Sequence, residues 1–360
     1  MIPQMIQYFD AVEADALADY MRSGGFITEF KKTSEFEMLL ANFTGSKHAI
    51  VVNNGTVSLT LMLLALGIGV GDEVIVPNYT MIATPNAVSM VGANPIFVDV
   101  EIDTLCLDLI AISRNITEKT KAIMFVSANG RFPTYEIAEL RDLCEAHGLF
   151  LLEDAAQGLG STYPNGLHIG TVGLMGSLSF SVPKIISTGQ GGCILTDNDE
   201  LADKLRKLKD FGRARGGIDI HDSIGYNFKF TDLQACIGIA QMSKLKDRVV
   251  RKKQIWQRYS DLLVDISQVR LFNHNLEFTA PWFIDALVEN RDELMVFLKN
   301  REIGSRSMYP PINSQGAYQR EGSYPVSETI GISGLWLPSY VQISDEEISL
   351  VCTSISEFYA

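Results

Sequence analysis

Short apolar runs alternate with amphipathic stretches between residues 45 and 197 of this 360-residue chain. Seven of the runs have the length and the β-branched content of buried strands: residues 49–52, 73–77, 94–98, 122–126, 149–152, 176–180 and 192–196. Helical periodicity fills the gaps, as in residues 57–66, 84–91 and 135–147, the last followed by Gly148 in the usual C-cap position. This alternation predicts βαβ units and therefore an α/β fold with a mostly parallel central sheet.

The pattern changes in the last third of the chain. Residues 212–222 predict an exposed loop, Thr231 is placed as the N-cap of a helix, and residues 241–263 continue as one long charged helix. An apolar run and two helical patterns follow, at residues 280–289, 292–300 and 345–360. We therefore expect a large domain over residues 1–240, and a linker helix with a smaller C-terminal α/β domain over residues 241–360.

Composition narrows the classes of function. The net charge is -13, which disfavours nucleic acid as a partner because phosphate backbones are bound by clustered Lys and Arg. No apolar run approaches the roughly 18 residues of a membrane span. The five cysteines are odd in number and widely spaced, so we expect reduced thiols and a cytoplasmic protein. The histidines are dispersed, and we expect no metal site.

Polar residues follow the predicted strands at their carboxyl ends, where parallel sheets bind ligands. After the first strand, Gly55 and Thr56 begin a helix whose free amides could hold an anion, although the same residues make an ordinary turn with an N-cap. After the second strand comes Tyr79, whose ring either stacks on a planar cofactor or packs against a neighbour at the rim.

Charged residues at two further places complete the set. The acidic pair Glu153 and Asp154 follows a buried strand, where a carboxylate is costly unless a cation such as a protonated pyridine nitrogen pairs with it. A metal ligand or a ribose-binding acid is the alternative, but the sequence has no matching ligand set or G-x-G-x-x-G motif. Lys184 follows a short apolar strand and precedes a glycine-rich turn, so partial desolvation can lower its pKa and make the amine nucleophilic. The four features in this order predict pyridoxal 5'-phosphate as the cofactor.

These residues lie within longer runs that resemble the DegT/DnrJ/StrS sugar aminotransferases, a branch of the fold-type I pyridoxal phosphate enzymes, and among them the perosamine and viosamine synthases. The runs are residues 23–28, 67–77, 92–99, 116–123, 153–157 and 225–227. Because they are collinear and extend nearly from end to end, the resemblance implies the fold-type I architecture for the whole chain.

The resemblance also implies roles for individual residues. Lys184 would hold the cofactor and move a proton during the reaction, Asp154 would pair with the pyridine nitrogen, and Gln157 would hydrogen-bond the phenolic oxygen of the cofactor. Tyr79 would stack on the ring. The residues implied to hold the phosphate are Gly55, Thr56 and Ser179. Asn227 matches a family position that reaches the phosphate of the neighbouring subunit, which implies a homodimer with shared active sites.

Family members that are dehydratases carry histidine in place of the lysine, so Lys184 indicates transamination. The leading interpretation is transfer of the amino group of L-glutamate to a nucleotide-linked 4-keto-6-deoxyhexose, as in the synthesis of perosamine or viosamine for O-antigen and related polysaccharides. Four basic residues are candidates for binding the diphosphate or the donor carboxylate: Arg131, Arg213, Arg215 and Lys229.

Two alternatives remain open at this point. One keeps the chemistry and changes the ketone to a 3-keto sugar or a cyclitol. The other is a non-catalytic regulatory homologue that binds the cofactor or an aminosugar without turnover.

Overall fold

A seven-stranded sheet dominates the computed structural model, which describes residues 1–214, 216 and 218–360. Its strands are β1 (His48–Val52), β2 (Glu73–Pro77), β3 (Asn94–Val98), β4 (Thr120–Val126), β5 (Phe150–Asp154), β6 (Met175–Ser179) and β7 (Gly192–Thr196). Their order across the sheet is β1-β7-β6-β5-β4-β2-β3. Strand β7 runs antiparallel to both of its neighbours and the other six strands share one direction. The predicted α/β fold with a mostly parallel sheet is confirmed.

Both faces of this sheet are covered by helices, which explains why its strands read as continuous apolar runs. In β2, for example, Val74 and Val76 pack into one apolar cluster and Ile75 into another on the opposite face. The helices of this part of the chain are α1 (Ala11–Arg22), α2 (Lys31–Thr44), α3 (Gly55–Ala65), α4 (Ala83–Met90), α5 (Leu109–Arg114), α6 (Ile137–His147), α7 (Asp199–Lys209) and α8 (Asp232–Ser243). Helix α6 ends at Gly148, whose φ of 64° is the left-handed conformation expected of a C-cap glycine.

The remaining chain forms a second, smaller sheet. Its strands are β8 (Val269–Leu271), β9 (Ile284–Val288), β10 (Arg306–Ser307) and β11 (Gly334–Leu337), in the order β10-β11-β9-β8 and antiparallel throughout. The accompanying helices are α9 (Leu245–Leu263), α10 (Arg291–Asn300), α11 (Pro325–Ser333) and α12 (Asp345–Tyr359). Across the described ranges, no helix combines the length and the apolarity that crossing a bilayer requires.

The region between the two sheets corrects one expectation. Thr231 caps α8 as predicted, its side chain accepting a hydrogen bond from the Gln234 amide. However, the predicted single helix over residues 241–263 is two helices that meet at Lys244, since α8 ends at Ser243 and α9 begins at Leu245. Helix α8 packs against α1 and α2, and the division of domains between residues 240 and 241 stays a prediction.

A buried ion pair joins the two sheets, and it corrects the assignment of Arg131 to substrate binding. The Arg131 guanidinium donates to the two carboxylate oxygens of Asp285 on β9, at 3.0 and 2.6 Å. Its Nε donates to the Thr104 carbonyl at 2.9 Å, and its Nη1 lies 3.0 Å from Nε2 of His274. Burial and the guanidinium hold the pKa of His274 well below its usual value, so this imidazole is neutral and accepts the hydrogen bond. Arg131 is therefore a structural residue.

Replacing Arg131 with methionine should lower the free energy of unfolding by about 3–5 kcal/mol, because Asp285 would stay buried without its partner. The measurement is urea denaturation of the cofactor-free protein. The matched control is Arg22→Met, which removes an exposed pair with Asp19 (3.0 Å) and should cost less than about 1 kcal/mol. Equal losses in the two variants would contradict a linking role for Arg131.

Candidate active site

The loops that follow β1, β2, β5 and β6 meet around a cavity of about 500 Å³ at the carboxyl edge of the large sheet. Because β7 is antiparallel, the connection from β6 to β7 begins and ends at this same edge and contributes its own residues. Six of the predicted site residues line the cavity: Gly55, Thr56, Asp154, Gln157, Ser179 and Lys184.

The first turn of α3 forms one end of the cavity. The Asn54 side chain caps the Val57 amide at 2.9 Å and the Asn54 carbonyl accepts from Ser58 at 3.1 Å. The amides of Gly55 and Thr56 have no protein acceptor in the described part of the chain, as expected for the first residues of a helix. They can therefore bind an anion.

Glycine is required at position 55 by a close approach. A Cβ atom on Gly55 would lie 3.0 Å from Cβ and 3.1 Å from Oγ of Ser179 at the end of β6. The absence of that atom lets the helix end and the Ser179 hydroxyl face the same small volume. Two free amides with the hydroxyls of Thr56, Ser179 and Ser181, which all line the cavity, fit a phosphate group.

Asp154 lies buried on the floor of the cavity, at the end of β5. Its Oδ2 accepts a hydrogen bond from Thr84 at 2.7 Å and its Oδ1 accepts from the Ala156 amide at 3.2 Å. Burial raises the pKa of this carboxyl, while Thr84, Ala156 and the charge of Lys184 oppose the rise. Lys184 acts on this carboxylate through its charge and without a hydrogen bond, so the carboxylate can still pair with a protonated pyridine nitrogen.

The neighbouring acid, Glu153, serves the fold instead. Successive residues of a strand point to opposite faces, and Glu153 accepts hydrogen bonds from the amides of Gly170, Val172 and Gly173 at 2.7, 3.1 and 3.3 Å. Burial raises the pKa of this carboxyl to about 7. Glu153 thus fixes the loop that leads into β6.

Lys184 lies in the connection between β6 and β7, partly buried, and lines the cavity together with Asp154. Its Nζ lies 4.4 Å from the centre of the Trp282 ring, and the indole Nε1 donates to the Pro183 carbonyl at 2.7 Å. Burial lowers the pKa of the Lys184 amine to about 8, against the opposing charge of Asp154. The residue therefore supplies unprotonated, nucleophilic amine near neutral pH.

Gln157 is oriented by a backbone contact. Its Oε1 accepts a hydrogen bond from the Asn129 amide at 2.6 Å, which leaves the side-chain amide nitrogen available to donate. Asn129 has a φ of 56° and exchanges hydrogen bonds with the backbone of Phe283 at 2.7 and 2.8 Å. Gln157 can thus donate a hydrogen bond to an oxygen of a ligand in the cavity that it lines.

The structure does not bring Tyr79 to the cavity. The preceding residue, Asn78, is held by two hydrogen bonds of 2.9 Å to Asn313, and the Tyr79 ring is buried 6.0 Å from that of Tyr309. Met81, two positions later and 45% exposed, lines the cavity instead. No aromatic side chain is among the described residues that line it, so the prediction that Tyr79 stacks on the ring does not fit this structure.

Sequence reasoning also missed Thr84. Its hydroxyl donates to Asp154 and lies 2.9 Å from that of Thr80, which precedes α4. In the sequence, this contact could have been predicted from the two threonines that stand four positions apart after β2.

The other candidates lie away from this cavity. Arg213 and Lys229 both contact Asp210, at 2.9 and 2.7 Å, and Asn227 is exposed on the same stretch of chain. Arg215 lies outside the described residues. Across those residues no group of three or more His, Cys, Asp or Glu side chains is arranged to hold a metal ion.

Comparison with known proteins agrees with this site. Residues 7–356 match the sequence profile of the DegT/DnrJ/EryC1/StrS aminotransferase family. The GDP-perosamine synthase of Vibrio cholerae is 34% identical over 367 residues, covering 100% of this chain and 99% of that protein. The GDP-perosamine synthase of Escherichia coli O157:H7 is 37% identical over 330 residues, covering 91% of this chain and 90% of that protein.

Solved structures give the same result. DesV of S. venezuelae is 31% identical, with a TM-score of 0.91 over 97% of this chain and 94% of its own. The aminotransferase TlmJ of Streptoalloteichus hindustanus is 28% identical, with a TM-score of 0.93 over 100% of both chains. The fold-type I architecture implied by the sequence resemblance is therefore confirmed, and with it the dependence on pyridoxal 5'-phosphate.

Substituting alanine for Gly55 should weaken binding of pyridoxal phosphate by about tenfold, the worth of one charge-assisted hydrogen bond, because the new Cβ pushes α3 away from Ser179. Absorbance titration of the cofactor-free protein measures this. Gly69→Ala is the control, since its Cβ would meet only the Val91 carbonyl at an ordinary 3.5 Å. Unchanged affinity in Gly55→Ala would refute the phosphate assignment.

The rate at which cofactor-free protein takes up pyridoxal phosphate should depend on pH through Lys184. Because only the unprotonated amine reacts, and burial lowers its pKa to about 8, the rate should rise about tenfold per pH unit below pH 8 and level off above it. Stopped-flow absorbance gives the profile. A rate that keeps rising to pH 10 would mean that the lysine is not desolvated.

Proposed function

Because the chain belongs to the DegT/DnrJ/EryC1/StrS aminotransferase family, we propose that it transfers the amino group of L-glutamate to a nucleotide-linked 4-keto-6-deoxyhexose. It is a pyridoxal phosphate-dependent sugar aminotransferase that acts on nucleotide-linked keto sugars. The observation that carries the proposal is the pair of Lys184 and Asp154 in one cavity with an anion cradle at its end. The 4-keto-6-deoxyhexose and a role in O-antigen-type polysaccharide synthesis are supported by the relatives named GDP-perosamine synthase and by the SpsC spore coat polysaccharide protein of Bacillus subtilis, which is 30% identical.

The site residues have different roles in the proposed reaction. Bound pyridoxal phosphate supplies a conjugated ring that stabilises negative charge at the reacting carbon. Asp154, held in place by Thr84, keeps the ring nitrogen positively charged. Gly55, Thr56 and Ser179 hold the phosphate. Lys184 would anchor the cofactor and, once released, its amine, whose pKa burial lowers to about 8, would carry the proton between the substrate carbon that bears the amine and the C4′ atom of the cofactor.

The polar segment 211–229 supports a homodimer with shared active sites. It carries Arg213, Asn227 and Lys229, and it exposes apolar side chains, Ile220 at 63% and Ile224 at 84%. Apolar side chains so exposed mark a surface that suits contact with another protein chain, and we propose a second copy of this protein as that partner. In this arrangement Asn227 and the two basic residues serve the site of the neighbouring subunit. The cytoplasmic location is supported by five cysteines that are all buried free thiols.

The deciding experiment is a glutamate-driven screen of GDP-, UDP- and dTDP-linked 4-keto-6-deoxy sugars, with a 3-keto sugar and a cyclitol ketone included. Mass spectrometry should detect an aminated GDP-sugar and 2-oxoglutarate in equal amounts. Lys184→Arg should lower the rate by about 10²–10⁴-fold or more, because the guanidinium keeps the charge and cannot exchange the proton. Amination of only the cyclitol would overturn the substrate proposal and leave the aminotransferase intact.

A further inference from the structure

A second cavity lies on the other side of Lys184, away from the phosphate cradle. Its volume is about 40 Å³, and its lining includes residues 5–9 of the N-terminal segment, residues 282–283 just before β9 and residues 339–341 just after β11. Three cationic side chains line it: Lys184, Arg248 and Lys252. Among the described residues that line it there is no aspartate or glutamate, although the chain as a whole carries a net charge of -13. Two of these residues, Arg248 and Lys252, have no role in the reaction assigned above.

Arg248 is buried without a carboxylate partner. Its Nη1 donates to the Ile185 carbonyl at 2.9 Å and to Gln241 at 2.6 Å, and its Nη2 donates to the Tyr8 carbonyl at 3.0 Å. Its Nε is buried and has no hydrogen-bond partner in the described structure. Glu13 reaches this network only through Gln241, at 2.6 Å, and its carboxylate also binds Lys244 at 2.7 Å.

Lys252 lies four residues further along α9, and this spacing places it on the same face of the helix as Arg248. It is 4% exposed, and its Nζ donates to the Ser339 carbonyl at 2.5 Å. Among the described residues, no acidic side chain raises the pKa of its amine. Burial lowers the pKa of its amine to about 7.

On one helix face, the charged guanidinium of Arg248 and the amine of Lys252, which can take up a proton, have carbonyl and amide partners alone, so an anion bound there would supply the missing negative charge. The size of the cavity limits the anion. About 40 Å³ accommodates a few atoms the size of a water molecule, which suits one carboxylate group and excludes a nucleotide or a hexose. The position restricts it further, because Lys184 lines this cavity and the cofactor cavity alike.

The geometry points to a carboxylate site for the amino donor, formed by Lys252 and Arg248 behind Lys184. This inference rests on the proposed glutamate-dependent reaction and adds the residues that select the donor. The ligand class is a small dicarboxylic amino acid and the 2-oxo acid that it leaves. The keto sugar lacks a carboxylate and therefore has no group that would bind in this cavity.

The test compares Lys252→Met with Lys253→Met in the cofactor-loaded protein. Lys253 is the neighbouring lysine, and its amine reaches only the Glu277 carbonyl at 3.3 Å on the surface, so it is a matched control. The probe is glutarate, an unreactive dicarboxylate, and calorimetry measures its dissociation constant. Lys252→Met should weaken glutarate binding about tenfold or more, as for the loss of one charge-assisted hydrogen bond, whereas Lys253→Met should bind like the unmodified protein. Equal binding by both variants would overturn the inference.

Proton uptake provides a second readout that loss of packing alone would not produce. At pH 8 the buried amine of Lys252 is mostly neutral, so glutarate should bind with uptake of a proton, seen as a binding heat that varies with the ionisation heat of the buffer. The other ionisable groups that line the cavity are Lys184, which the cofactor engages, Arg248, Tyr8 and Tyr340. His274 lies near Lys252 and is neutral. The uptake should disappear in Lys252→Met, and its persistence there would contradict the assignment.

The two half-reactions separate this inference from the proposed function. In single turnovers, Lys252→Met should slow amino transfer from glutamate about tenfold and leave amino transfer to the sugar at its normal rate. If the unmodified protein does not react with glutamate, the proposed donor is wrong. If it reacts and Lys252→Met reacts equally well, the carboxylate site is wrong. A Lys252→Met protein that loses only a stabilisation by chloride, with glutarate binding unchanged, would identify an inorganic anion as the occupant and overturn the donor assignment.

Discussion

The chemistry of this molecule depends on the removal of water from one amine. Lys184 lies in the connection between β6 and β7 of the large sheet. The Trp282 ring next to its Nζ lies in the segment that leads into β9 of the small sheet. The same indole bonds to the Pro183 carbonyl, so the packing that desolvates the lysine also fixes its loop. The Arg131 and Asp285 pair holds the two sheets in that position. The reactivity of Lys184 and the packing of the small sheet against the large one therefore depend on the same contact.

The strands could be predicted from the sequence wherever burial alone determines the secondary structure. Strands β2, β3 and β7 begin and end at the predicted residues because both faces of the sheet are covered, which gives each strand a continuous apolar run. Asp154 and Lys184 could be identified because burying a charged side chain beside such a run is costly unless a partner or a ligand compensates for it. The direction of β7 could not be predicted, since an apolar run of five residues reads the same in a parallel or an antiparallel pair.

The misplaced residues depend on partners far along the chain. Tyr79 turns away from the cavity because Asn78 is held by Asn313, which lies 235 residues further on. Arg131 is withdrawn from solvent by Asp285, 154 residues away. No local pattern reports such contacts. Tyr79 was a candidate because it follows a strand and Arg131 because its guanidinium suits an anion, but both join the large sheet to the rest of the molecule.

The contact between Lys184 and Trp282 also gives the protein an internal optical reporter. The chain contains three tryptophans, and the indole of Trp282 lies 4.4 Å from the amine that the cofactor modifies. The emission of indole overlaps the absorption of pyridoxal phosphate, so energy transfer should quench Trp282 whenever the cofactor is attached. Intrinsic fluorescence should therefore follow loading of the cofactor and the change in its absorption on amination continuously and without any label. A substitution of Trp282 by phenylalanine would remove both the reporter and part of the apolar wall beside the lysine.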